Sequence, residues 1–254
     1  MKFLAVTVIL VNFISTSVST KCNFPPDLWC SSKEIAELCQ VTEQCAVNSW
    51  NIKSDGPLVN FTLYYESLCP YCRQFIVDQL FPAYQAVGKI MNLTIVPYGN
   101  AEETEHGDLW KYTCQHGPNE CVGNLIDSCA IYYMNQSEYM PYIYCMEKAT
   151  STIDPIMAAK KCGTPNYAPV DRILECAKSS FGNKLEHEMA EKTDALRPQH
   201  QYVPWVTLNG VHTEKIQDEA SNHLIKLICQ TYQGSMKPAA CKKFEKPDSK
   251  RCYK

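Results

Sequence analysis

The chain lacks the marks of several common protein classes. Its 24 Lys and Arg against 27 Asp and Glu leave a net charge of −3, and no basic stripe offers itself to nucleic acid. After the first twenty residues, no apolar run approaches the length of a membrane span. The sequence has one C-x-x-C, Cys69 to Cys72, and no H-x3-5-H. A zinc site built on that pair would want two further ligands at suitable spacing, so no metal is expected. The last residues, Arg251-Cys252-Tyr253-Lys254, are no K-D-E-L retention signal.

Cysteine, by contrast, is abundant. Fifteen in 254 residues point to a disulfide-bearing protein of an oxidising compartment. The start of the chain agrees. Lys2 precedes a mostly apolar run over 3–14, then Ser15, Thr16, Ser17, Val18 and Ser19, so residues 1–20 read as a secretory signal peptide. Three sequons begin at Asn60, Asn92 and Asn135 and are candidate glycosylation sites. Asn60 and Asn92 lie in predicted strands, so their side chains must face solvent to carry glycans.

The chemistry concentrates at Ser67-Leu68-Cys69-Pro70-Tyr71-Cys72-Arg73. Before it, Val59 to Tyr65 is β-branched and aromatic, which predicts a strand. After it, Ile76, Leu80, Ala83 and Val87 recur at helical spacing, with Pro82 expected to kink the helix. Strand, C-x-x-C, helix is the setting of a redox dithiol. The first thiol, at a helix start, meets free N–H groups and the positive end of the dipole, which favour thiolate. Cys69 is therefore the candidate nucleophile and Cys72 the candidate resolving thiol. Arg73 is either a helper for the thiolate or a solvated surface arginine. A purely structural disulfide here would close a short loop and little chain entropy.

Around this centre the chain divides. Residues 21–50 form a small module with Cys22, Cys30, Cys39 and Cys45, a helix expected over 32–44 and Ser31 or Ser32 as its cap. Two disulfides are expected to support it, and three pairings are open. The stretch 51–57 reads as a linker, and the main domain runs over 57–230. A second strand is expected over 91–98. Residues 101–198 read as a helical insertion with six cysteines, for which fifteen pairings are open. Within it, Cys121, Leu125 and Cys129 share one helical face, so the cysteines are expected to be structural. A strand ends at Asn209-Gly210, and an amphipathic helix spans about 214–231. Residues 231–254 read as a tail, a candidate propeptide, whose cysteines leave an odd number overall. An odd cysteine suggests a free thiol or a disulfide-linked dimer.

Two motifs then carry a resemblance. Cys114-Gln115-His116-Gly117, Glu120-Cys121, Asn124 and Cys129 reproduce the pattern C-Q-H-G-x2-E-C-x2-N-x4-C. This resembles the signature of the gamma-interferon-inducible lysosomal thiol reductase family. Tyr202-Val203-Pro204-Trp205-Val206 resembles that family's segment around its cis-proline. The Trp29-Cys30, Ala36, Cys39, Cys45 pattern resembles a saposin A-type domain.

The resemblance implies an α/β, thioredoxin-like fold with a disulfide-rich helical insertion. It implies a thiol reductase of acidic endosomes and lysosomes, aiding unfolding of endocytosed proteins and antigen processing. Val203 and Pro204 are then candidate substrate-binding residues, with Val203–Pro204 cis. The expected partners are disulfide-bonded proteins, a small-thiol reductant and a mannose-phosphate receptor reached through the glycans. No cofactor is expected beyond the redox disulfide itself. Two other readings stay open: an oxidase or isomerase of the endoplasmic reticulum, and a secreted saposin-like lipid-binding or defence protein.

Overall fold

The computed structural model describes residues 26–45, 54–163 and 169–244, together with Cys22 and Phe24. The predicted signal peptide, residues 51–53 of the linker and Cys252 lie outside the described residues.

Strand β1, Val59–Tyr65, is central in a three-stranded sheet of order β2-β1-β5. β2, Met91–Pro97, runs parallel to it, with Val59 beside Met91 and Tyr65 beside Pro97. β5, Trp205–Leu208, runs antiparallel, with Phe61 opposite Leu208 and Tyr64 opposite Trp205. The alternation of β1 follows its composition: Val59, Phe61, Leu63 and Tyr65 are buried, while Asn60 faces solvent. Asn92 and Asn135 are exposed as well.

Between β1 and β2 the chain is helical. α2, Pro70–Phe75, leads into a π-helical stretch, Ile76–Leu80, and then α3, Phe81–Val87. Pro82 was expected to kink this helix. The widened turn just before it is the actual accommodation, since a proline ring would otherwise strike the carbonyl four residues back. The last helix, α9, spans Glu214–Thr231 as expected, with a break in helical geometry at His223. It packs against α3 and β5.

The insertion departs from the sequence reading at its start. Before any helix, β3 (Glu102–His106) and β4 (Leu109–Thr113) form an antiparallel hairpin around Gly107. Helices follow: α4 (Pro118–Tyr133), α5 (Gln136–Ala149), α6 (Pro155–Cys162), α7 (Val170–Ala177) and α8 (Ser180–Asp194). α4 and α8 lie against β2. Three disulfides staple the insertion: Cys114–Cys121, Cys129–Cys176 and Cys145–Cys162. Cys129 is buried, whereas Cys121 and Leu125 are only partly so; the shared face is less deeply inward than expected.

The amino-terminal module carries Cys22–Cys39 and Cys30–Cys45. Its helix α1, Lys33–Leu38, is capped by the Ser32 hydroxyl and is shorter than the sequence suggested. Phe24, Leu28 and Ile35 belong to the same continuous core as the sheet. The tail is likewise folded back in part. Cys229 pairs with Cys241, which is buried in a 3-10 turn over Ala239–Phe244. The Asp55 carboxylate clasps this region, accepting from Ser235 and Met236 backbone N–H groups and the Tyr232 hydroxyl. Ser235, through its hydroxyl, is the main reason the Asp55 carboxyl sits down at about 2.

Candidate active site

Cys69 is the residue that caps α2, with Pro70 in the first turn where its missing N–H leaves no gap. Cys69 is 5% exposed and Cys72 is fully buried; both are free thiols. The Cys72 thiol donates to the Cys69 sulfur, and this outweighs burial. Backbone N–H groups of Cys72 and Tyr71 add to it, as does the nearby His116, and the Cys69 thiol comes down to about 6. Cys72 moves the other way: burial, then its bond to Cys69, pushes its thiol well up. Two thiols three residues apart thus acquire opposite character. Arg73 is half-buried, and its charge bears on buried Glu147, whose carboxyl it acts to lower against the larger effect of burial.

Val203–Pro204 is cis, as is Arg197–Pro198. Val203, Pro204 and Tyr202 line one groove together with Tyr71, which with Pro70 is exposed in the C-x-x-C. Gln217 fixes this segment by donating to the Pro204 carbonyl at 3.1 Å and accepting from the Val206 N–H at 3.1 Å.

The signature motif lies directly behind the dithiol loop. Asn124 Oδ1 accepts the Ser67 N–H at 3.0 Å, and Ser67 Oγ donates to the Glu120 carbonyl at 3.1 Å. His116 donates its N–H to Glu120 Oε1 at 2.9 Å. Its Nδ1 stands 2.5 Å from Glu120 Oε2 and 3.3 Å from Glu66 Oε2. Gln115 accepts from Asn100 Nδ2 at 2.9 Å. Gly117, at φ 89°, makes the turn into α4 that a side chain would strain. Among the described residues, Glu66, His116 and Glu120 form the one cluster with metal-type donors, all within 4.8 Å. Those donors engage one another, with the imidazole between two carboxyl groups.

The sequence reading missed a set of buried acids beside this site. Glu66 precedes Cys69 by three residues and is fully buried; burial, then the Glu120 charge, raises its carboxyl to about 7. Asp127 accepts from the Tyr65 hydroxyl at 2.7 Å and is raised by burial to about 7. Burial raises Glu147 well above the carboxylate range, and Asp127 adds to it. Glu186, which accepts from Ser128 at 2.7 Å, is also raised well above by burial. Their only sequence signal is position: Glu66 borders the C-x-x-C and Asp127 lies inside the signature. Acids are ordinarily surface residues, so nothing in local pattern marks them as buried.

A sheet with a dithiol at the start of its first helix and a cis-proline strand beside it defines a thioredoxin-like thiol–disulfide oxidoreductase. Comparison with known proteins narrows this class. The family model for gamma interferon inducible lysosomal thiol reductase matches residues 60–166, and that for the saposin A-type domain matches 19–51. A goldfish (Carassius auratus) gamma-interferon-inducible lysosomal thiol reductase is 44% identical over 222 residues, covering 87% of this chain and 84% of its own. The mouse (Mus musculus) protein of the same name is 38% identical, covering 88% of each. A crystal structure of Chlamydia trachomatis DsbA aligns with a TM-score of 0.46 and 14% identity over 63% of this chain and 79% of its own. The chain belongs to the gamma-interferon-inducible lysosomal thiol reductase family, and it is a thiol reductase. No described helix is long and apolar enough to cross a membrane.

Proposed function

We propose that Cys69 and Cys72 are the redox-active pair, and that the protein reduces protein disulfides in acidic endosomes and lysosomes. The single observation that carries this is the Cys69 thiol brought down to about 6. At pH ~5 such a thiol is roughly a tenth thiolate, against about 0.03% for an ordinary one at ~8.5. A more acidic thiolate attacks more weakly, so the net gain is about 15–30-fold.

The Cys69 thiolate attacks a substrate disulfide, forming a mixed disulfide and expelling one substrate sulfur as thiolate. Cys72 then attacks the Cys69 sulfur, releasing the second substrate thiolate, which takes up the Cys72 proton. The pair is now a disulfide, and two equivalents of a small thiol reduce it, becoming a disulfide themselves. Val203 and Pro204 are the substrate-holding edge in this reading. Delivery through mannose phosphate on glycans at Asn60, Asn92 and Asn135, and a contribution to antigen processing, are part of the same proposal.

The test is disulfide reduction across pH 4 to 8 with a small-thiol donor. A maximum below about pH 6 that disappears in Cys69→Ser is the expected result. Activity retained in Cys69→Ser, or an optimum near neutrality, overturns the assignment.

A further inference from the structure

We propose that the groove lined by Tyr71 of the C-x-x-C and by Val203–Pro204 selects disulfides flanked by basic side chains, presented in an extended peptide; this deepens, and rests on, the assignment of Cys69 and Cys72 as the exchanging pair. The groove encloses about 690 Å³ between the helix that begins after Cys69 and the first turns of α9. Tyr71, 73% exposed, and Tyr202, 36% exposed, offer ring surfaces along it. Pro204 forms the wall nearest the cis bond. Three exposed carboxylates, Asp78, Glu214 and Asp218, stand among its other, neutral lining residues. No Lys, Arg or His lines it; Lys215 belongs to a separate hollow on the other side of Asp218.

The acids are not interchangeable surface decoration. Glu214 Oε2 accepts the Tyr202 hydroxyl at 2.9 Å, so one carboxylate is tied to the segment leading into Pro204. Among the described residues, the N–H and C=O of Val203 enter no hydrogen bond, which leaves them for a passing backbone. An extended chain running past Val203 would carry its cystine to Cys69 and set its neighbouring side chains over the three carboxylates. Lysine and arginine suit that place twice, by charge and by stacking on tyrosine.

The experiment uses three matched peptide disulfides with Lys, Ser or Glu flanks, each rate divided by the uncatalysed rate with the same small thiol. This removes the effect of flanking charge on the disulfide's own reactivity. In about 20 mM salt the expected order is Lys, Ser, Glu, with roughly tenfold in kcat/KM between the extremes, shrinking in about 0.5 M salt. Asp78→Lys combined with Asp218→Lys should invert the order. Should that variant fail to fold, the salt dependence of the unaltered protein decides alone. Equal normalised rates, or a preference for Glu, overturn the proposal. Absence of Cys69-dependent turnover of a neutral small disulfide would instead overturn the redox assignment on which it rests.

Discussion

In the helical insertion, six cysteines are spent in three disulfides, whereas in the adjoining strand–helix unit Cys69 and Cys72 remain thiols. The two regions differ in what the sulfur meets. In the insertion a bridge such as Cys129–Cys176 spans 47 residues and ties α4 to α7, so it removes much freedom from the unfolded chain. In the dithiol loop the bridge would span three residues and gain little that way. What the loop offers is a set of hydrogen-bond donors aimed at Cys69, which stabilise its thiolate and so keep the reduced state accessible. Residue type is the same in both regions; chain separation and the neighbouring donors set the difference.

The sharpest way to break this contrast is to exchange the dithiol sulfurs for oxygen. Cys69→Ser is expected to lower turnover by at least about a thousandfold while the melting temperature stays nearly constant. Cys72→Ser should instead accumulate mixed disulfides with protein substrates, visible on non-reducing gels.

The converse experiment removes a staple. Cys129→Ala with Cys176→Ala is expected to cost about 4 kcal/mol in denaturant unfolding, with the Cys69 thiol still titrating low by alkylation rate. If the dithiol pKa rose in step, the two regions would not be separable.

A third prediction concerns the buried acids along the boundary of the two regions. Glu66, Asp127, Glu147 and Glu186 have raised carboxyls in the folded chain, so the native state binds more protons than the unfolded one between about pH 4 and 7. Stability is therefore full below about pH 4 as far as these groups are concerned, and is lost as pH rises toward 7. Melting is expected about 5–10 °C lower at pH 7.5 than at pH 5, a few kcal/mol, by calorimetry on the disulfide-intact protein. Asp127→Asn should make that profile shallower, with Glu66, Glu147 and Glu186 still contributing; a flat profile in the unaltered protein would refute the reading.

The smallest expected effect is at the seam itself. Asn124→Ala leaves the buried Ser67 N–H unpaired, at a cost of about 1–3 kcal/mol by chemical denaturation. A slower alkylation of Cys69 in the same variant would show that the signature positions the dithiol loop and does not merely support the insertion.

Elements with one strong period were legible in the sequence. The strand Val59–Tyr65 and the helix Glu214–Thr231 have the expected bounds, because each carries an apolar face of its own. The dithiol was legible for the same local reason: strand, thiols and helix are contiguous. The hairpin of β3 and β4 was not, because Glu102 to Glu105 are largely acidic and exposed, leaving only Gly107 and the Leu109 to Thr113 run as cues. Nor was the meeting of Ser67 with Asn124 and Glu120, which joins residues more than fifty apart and depends on how α4 docks on the sheet. The pairing of the cysteines is of the same kind. The effect of the Arg73 charge on buried Glu147 was not legible either, because no local pattern announces a carboxyl so far along the chain.

The three sequons have a collective property that none has alone. Asn60 and Asn92 sit side by side near the starts of parallel strands, with Asn92 Nδ2 donating to Asn60 Oδ1 at 2.8 Å. Asn135 borders a hollow that also holds Gly88 and Met91, at that same end of the sheet. Cys69 follows the other end of β1, roughly 20 Å away along a seven-residue strand. Sugars on these asparagines would crowd one pole and leave the opposite pole bare. The molecule would then have a coated back and an uncovered front. A proteolytic compartment would find the glycan-shielded end hard to cut, while a bulky, half-unfolded client would reach the thiols unobstructed.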